Sequence, residues 1–356
     1  MILLTIPPGI SRRPWRIARF AAALGAALVL LAGVPHVQAQ SVSTPNELRL
    51  FRIGTGGPQG TYFPIGNLIA AALSGAGPDC GAPARCGVPN LLAVAQLSNG
   101  SVSNVQAISA GVLEAGLVQA DVAYWAYSGT GRFEGKPRHP NLRAVATLYH
   151  ESVHIVVSLE SGIRRIAELK GRRVSLDEPG SGTLVDARIV LEAAGLSERD
   201  LRPEYIKPQF AAEKLRRDRL DAFFIVAGYP TRSVAELANR GEARLLPIDP
   251  EIADEVHRRY AFLVPSKIPN GVYGGIPETP TVSVAAQLLV SADLPDELVF
   301  EITRTLWSKR TATLLRQGHA KGREIRLESA LDGIAIPLHP GAARFYRQHA
   351  RTPGDS

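Results

Sequence analysis

Apolar positions recur along Leu48, Leu50, Phe51 and Ile53 and stop at the cluster Gly54, Gly56, Gly57 and Gly60. The pattern predicts a buried strand that ends in a glycine loop, with a helix from about Thr61 to Ser74. Leu91 to Gln96 predicts a second strand. Asn99 to Ser109 predicts a turn into a helix with Val102, Val105 and Ile108 on its apolar face, and Gly116 to Gln119 a short third strand. From Asp121 onward, Val122, Tyr124, Trp125 and Tyr127 fit a helix or a packed turn. Two runs rich in Val and Ile then follow in succession, Leu142 to His150 and Ser152 to Leu159, where one lobe is expected to hand over to the next.

The order repeats beyond them. Ile166 to Gly171 predicts a short helix and Arg173 to Leu176 a strand delivering the turn Pro179-Gly-Ser-Gly-Thr183. Leu184, Ala187, Val190, Leu191 and Ala194 have helical spacing and stop at Gly195. Asp221 to Val226 is a buried-strand pattern leading to Gly228-Tyr-Pro230. Ile268 to Gly274 reads as a turn-rich linker, Thr281 to Val290 as a strand, Leu294-Pro295 to Leu315 as helix, and Ile336 to Tyr346 as a proline turn and a last helix. Alternating units of this kind predict an α/β protein of two lobes, each a mixed, parallel-rich sheet flanked by helices, with the ligand cleft between them beyond the strand C-termini. Lobe 1 is expected over 44–150, completed by 268–356, and lobe 2 over 151–267. The lobes are expected to open about paired linkers near His150 to His154 and near Ile268 to Gly274.

Strand, small polar turn and helix recur at four places: the Gly54 loop, Asn99 to Asn104, Pro179 to Thr183, and Ala227 to Pro230. Each leaves backbone N–H groups unpaired at a helix start, and four such starts converging make a cradle for an anionic or polar ligand. The candidate contacts are Thr55, Gly56, Gly57, Thr61 and Tyr62 in the first turn; Ser101 and Asn104 in the second; Gln119 at the third strand end; Ser181, Gly182 and Thr183; and Gly228 and Tyr229. Tyr62 either closes over the ligand or sits in the core, and Ser101 and Asn104 are equally suited to capping their own helix. No arginine stands among these motifs, and Arg188, two turns into its helix, reads as a surface or inter-lobe residue. A dicarboxylate would then be held by helix starts alone, or the ligand is less acidic.

Charge and cysteine content refine the picture. Residues 1–39 carry Arg12, Arg13, Arg16 and Arg19 without an acid, then an apolar run from Phe20 to about Val34 and the small-residue site Val37-Gln38-Ala39. This predicts a signal peptide cleaved after Ala39 and a periplasmic product. Removing those four arginines lowers the net charge from +7 to +3 for the chain from Gln40, so no nucleic-acid partner is inferred. Cys80 and Cys86, the only cysteines, lie in one Gly/Pro loop and in an exported chain predict a disulfide. A metal site would need more ligands than the nearby Asp79 supplies. No metal, no cofactor and a monomer are expected.

These landmarks resemble the TAXI-family solute receptors of TRAP transporters. The resemblance rests on Ile53-Gly-Thr-Gly-Gly-x-x-Gly-Thr-Tyr62, Gly100-Ser-Val-x-Asn104, Gln119-Ala-Asp-Val-Ala123, Leu169-Lys-Gly-x-x-Val174 with Pro179-Gly-Ser-Gly-Thr183, Asp221-Ala-Phe-Phe224, Gly228 with Pro230, and Pro337 to Tyr346, in the family's order. Ser98-Asn99-Gly100-Ser101 and Val272 depart from the family pattern, and the Cys80 to Cys86 loop looks like an insertion. The resemblance implies capture of a small anionic solute, glutamate or a related amino acid or dicarboxylate, and its delivery to ion-gradient-driven TRAP membrane subunits. The alternative is a receptor for an ATP-driven importer or a sensor. An exported hydrolase built on His150, His154 or His339 is the less favoured reading: no Gly-x-Ser-x-Gly or His-Glu-x-x-His is present, and the chain is expected not to be an enzyme.

Overall fold

The computed structural model describes residues 48–75 and 86–350. The expected leader over 1–39 and Cys80 of the expected disulfide lie outside the described residues; Cys86 lies within them and is not a free thiol.

In β1, Arg49–Gly54, burial begins at Phe51: Phe51 and Ile53 are in the core, whereas Leu48 and Leu50 are 62% and 48% exposed. A strand period of two puts 51 and 53 on the covered face and 50 on the open one. Next come α1 (Tyr62–Leu73), β2 (Leu91–Gln96), α2 (Ser101–Ser109), β3 (Ala115–Gln119) and α3 (Ala120–Ser128). β1 pairs in parallel with both β2 and β3. The second half has the same plan: β5 (Arg173–Ser175), α4 (Gly182–Ala193), β6 (Arg202–Glu204), α5 (Pro208–Arg216), β7 (Ala222–Ala227) and α6 (Arg232–Asn239), with β5 parallel to β6 and β7. The two halves share a tie. Arg52 chelates Glu114, the residue before β3, through its backbone N–H and guanidinium, and Arg173 does the same to Asp221, the residue before β7.

Two long strands join the halves. β4 runs from Leu142–Ser158, one strand where two apolar runs were expected, and β10 from Thr279–Ser291 lies antiparallel to it. The sheet order is β2-β1-β3-β10-β4-β7-β5-β6, with β8 (Ala243–Leu245) on β4 and β9 (Val264–Ile268) on β10. The sheet is thus parallel at both ends and antiparallel in the middle. Helices α8 (Asp296–Leu306), α9 (Lys309–Gly318) and α10 (Pro340–Ala350) return to the first half, where Tyr346 donates its hydroxyl to the Val145 carbonyl at 2.9 Å.

The second linker differs from expectation. Ile268, Tyr273 and Ile276 are buried with Phe223, Ile225 and Leu237 of the second half, so the segment from 268 to 276 is part of that half's core. The chain recrosses along β10 beside Ser283, whose hydroxyl lies 2.9 Å from that of Ser152 on β4. One cluster, including Val105, Trp125, Ile155, Val174, Ile189, Phe224 and Leu289, runs across both halves; two others cover the opposite face of each. α7 (Pro250–Arg259) packs Val256 into the spanning cluster.

Candidate functional site

The parallel strands β1, β3, β5 and β7 all end at the middle of the molecule, and the turns after them enclose a cleft with about 560 Å³ of atom-free space, part of it open to solvent. Nine of the expected residues line it: Gly56, Gly57, Thr61, Tyr62, Ser101, Gln119, Ser181, Gly182 and Thr183.

Their packing explains the residue types. Gly182 opens α4 against Gln119; a Cβ there would lie 1.3 Å from Gln119 Oε1, so any other residue must displace the Gln119 side chain. Gln119 accepts a bond from the Ser101 hydroxyl at 3.2 Å and donates through Nε2 to Asp186 at 2.6 Å. Gly100 precedes α2 with φ +111°, which favours glycine, and a Cβ on it would sit 3.5 Å from Ser181 Cα. The cap alternative fits Ser181 and not Ser101: Ser181 accepts from Leu184 N at 3.0 Å, whereas Ser101 makes no cap bond. The Thr183 hydroxyl accepts from Val226 N at 3.0 Å, linking α4 to β7.

Four expected contacts lie elsewhere. Thr55 is buried beneath the loop with its hydroxyl donating to the Gln96 carbonyl at 2.8 Å. Asn104 is wholly buried and donates to the Thr55 and Leu117 carbonyls at 2.7 and 2.8 Å while accepting from Ser98; it holds the first turn in shape from behind. Gly228 offers its carbonyl to the Thr61 hydroxyl at 2.5 Å, a latch between the halves. Tyr229 is not among the lining residues, and Lys321 Nζ lies 3.8 Å from its ring centre. Asn99 Nδ2 to the Pro179 carbonyl, 3.1 Å, and Ser103 N to the Gly180 carbonyl, 3.0 Å, are further bonds across the mouth.

The residues missed by sequence reasoning are mostly acidic. Glu151 on β4 lines the cleft floor at 2% exposure; burial pushes its carboxyl up to about 8, opposed by the Tyr62 phenol and by Lys321. Its signal was present, since it is the lone acid inside the apolar stretch from Leu142 to Ser158. Asp177 and Glu178 also line the cleft. Asp177 has φ +69°, tolerated by Asp, and burial pushes it up to about 7. Behind Gln119, burial raises Asp121 to about 6 and holds Asp186 well above the carboxylate range, with the Asp121 charge adding to it. Lys207 lines the cleft too, paired with Glu178 at 3.2 Å. Gln59 and Gln209 complete the polar wall.

Arg188 lies on the surface, paired with Glu198. His154 is fully buried: Nδ1 lies 2.9 Å from the Ser152 carbonyl and Nε2 3.0 Å from the Tyr273 hydroxyl. Both nitrogens are therefore engaged, Nδ1 as donor, and burial lowers the imidazole to about 4. His339 caps the last helix, accepting from Gly341 N at 3.2 Å and facing the Leu294 carbonyl. Among the described residues no group of three His, Cys, Asp or Glu is arranged to hold a metal ion, and no helix is long and apolar enough to cross a membrane.

Solved structures share this architecture at low identity. A protein from Bordetella bronchiseptica RB50 is 16% identical with a TM-score of 0.50, over 84% of this chain and 88% of that one. The alkanesulfonate-binding protein SsuA from Xanthomonas axonopodis pv. citri, bound to MOPS, is 19% identical with a TM-score of 0.47, over 85% and 84%. PhnD1 from Prochlorococcus marinus, in complex with methylphosphonate, is 12% identical with a TM-score of 0.47, over 86% and 100%. The fold is α/β, a mixed sheet flanked by helices and parallel at both ends, as the pattern predicted, and the Bordetella protein shares it. In sequence the match runs over residues 53–349, nearly the whole described chain, and on that match this protein belongs to the NMT1-like family.

Proposed function

We propose that the chain is an extracytoplasmic receptor that captures one small solute between the two halves of its sheet and delivers it to the membrane subunits of an importer. One observation carries this reading: a cleft at the strand C-termini, walled by helix starts of both halves and floored by Glu151 on a strand that joins them. Binding there bridges the halves and stabilises the closed arrangement in which Thr61 reaches Gly228. The role is capture without chemical conversion; His154, fully engaged in the core, has no free nitrogen for catalysis.

The landmark order supports TRAP subunits driven by an ion gradient as the membrane partner. The alternative is an ATP-driven importer, the kind named for some structural neighbours of this chain. Uptake into membrane vesicles separates the two: dependence on an imposed ion gradient favours the first, and dependence on internal ATP the second. The dicarboxylate implied by the resemblance finds backbone N–H groups at the helix starts, but Lys207, the one lining cation among the described residues, is already paired.

The receptor reading is tested by calorimetry of the chain from Gln40 against amino acids, amines, carboxylates, sulfonates and sugars. One saturable solute at one site per chain is expected. No binding across the panel by protein freed of trapped solute overturns the reading.

A further inference from the structure

The donors and acceptors that face the cleft are not equally engaged. The Thr61 hydroxyl donates to Gly228, the Ser101 hydroxyl to Gln119, and Gln119 Nε2 to Asp186. Ser181 and Thr183 have Asp177 as their acid neighbour, and Lys207 holds Glu178. These side-chain donors thus already have partners. Two buried acceptors of the wall do not. Gln59 Oε1 and Gln209 Oε1 are shielded from water with no partner among the described residues. Glu151, 2% exposed, has the Tyr62 phenol as a neighbour and no ion pair among the described residues. The cation nearest in effect, Lys321, lies outside the wall and is committed to Glu324 at 2.7 Å and to the Tyr229 ring.

A buried carboxyl without a cation is costly to ionise, and a buried acceptor without a donor is costly to keep. A second carboxylate placed here would bring no cation to Glu151 and Asp177, whose charged forms burial already disfavours, and would leave the Gln59 and Gln209 acceptors unpaired. A solute rich in N–H donors relieves all of these at once. We propose that the captured solute carries an ammonium group that seats against the Glu151 carboxylate, with Gln59 and Gln209 accepting its remaining N–H bonds. Glu151 is then the residue that sets specificity, and any carboxylate on the same solute is left to the backbone N–H groups of the helix starts. This rests on the receptor reading above and narrows its ligand.

The test uses receptor unfolded and refolded to release trapped solutes, titrated with matched pairs that differ in the amine alone: glutamate with glutarate, putrescine with 1,4-butanediol, and a panel of amino acids with their desamino acids. The expected result is at least tenfold tighter binding of an amine than of its partner, with Glu151→Gln removing that preference while the free protein melts no lower than before. A desamino partner bound as tightly as its amine, or a Glu151→Gln variant that keeps the preference, overturns this inference and leaves the receptor reading standing. Binding by no member of any pair or of the wider calorimetric panel removes the receptor reading and the inference together.

Discussion

Gly182 shows how one atom can decide a site. Its missing Cβ is the space occupied by Gln119 Oε1, so Gly182→Val must displace Gln119 and with it the bonds to Ser101 and Asp186. Solute binding should fall by at least a hundredfold, as calorimetry would show; unchanged affinity would mean this helix start does not touch the solute. Asn104→Ala should behave differently. It strips donors from two buried carbonyls outside the cleft and should lower stability by about 1–3 kcal/mol in urea titrations. Glu151 gives a pH signature. Its folded pKa, about 8, is raised above the usual 4.5, so the folded protein binds the extra proton between those values and loses stability as pH rises through them. Asp177 adds to this up to about 7. His154, lowered to about 4 from 6.5, acts in the opposite direction but only below 6.5. From pH 6.5 to 8 the melting temperature of the free protein should therefore fall, and Glu151→Gln should flatten that fall; the charged neighbours Asp121, Asp186 and Lys321 are common to both proteins. Glycine turns and their hydroxyls were legible at this scale because their chemistry is local. Asn104 was misplaced because a buried amide bonding two distant carbonyls looks, in sequence, like any first-turn polar residue.

At the scale of elements, the strands β4 and β10 carry the chain between the halves, where linkers near His150 to His154 and near Ile268 to Gly274 were expected. β4 was divided in the reading because Glu151 interrupts its apolar run, and that interruption is the cleft floor. β9 was missed because four of its five residues are exposed on an edge, which leaves no alternation to read. The β9–β10 connection is pinned by a chain of bonds in which Thr231 N donates to the Tyr273 hydroxyl, and the hydroxyl meets His154 Nε2. Tyr273→Phe leaves two buried polar atoms unpaired and should cost about 1–3 kcal/mol by chemical denaturation. A neutral result would mean the connection is not held by this chain. The repeat of strand, turn and helix was legible for β1 to α3 and for β5, α4 and β7, because it depends on hydrophobic period and turn chemistry; β6, α5, β8, α7 and the extent of α6 were not read.

For the whole molecule, the question is what holds the halves together across the mouth. Thr61 to Gly228, Asn99 to Pro179 and Ser103 to Gly180 are three bonds between turns far apart in sequence. Thr61→Val removes one of them at nearly constant volume. The closed form should lose about 1 kcal/mol, seen as roughly five- to tenfold weaker solute binding through faster release. Equal affinity in the variant would show that the latch does not contribute to closure.

The order of α/β units, the glycine turns that start the helices and the placing of those turns beyond strand ends follow from the sequence alone, because each depends on residues a few positions apart. The tertiary structure alone decided which turn residues face the cleft, that β10 and not the 268–274 segment carries the chain back, and that the cleft wall is acidic. Those features depend on Glu151, Asp177, Gln59 and Gln209 meeting in space. Burial, which turns an ordinary glutamate into a carboxyl at about 8, is a property of everything packed around it.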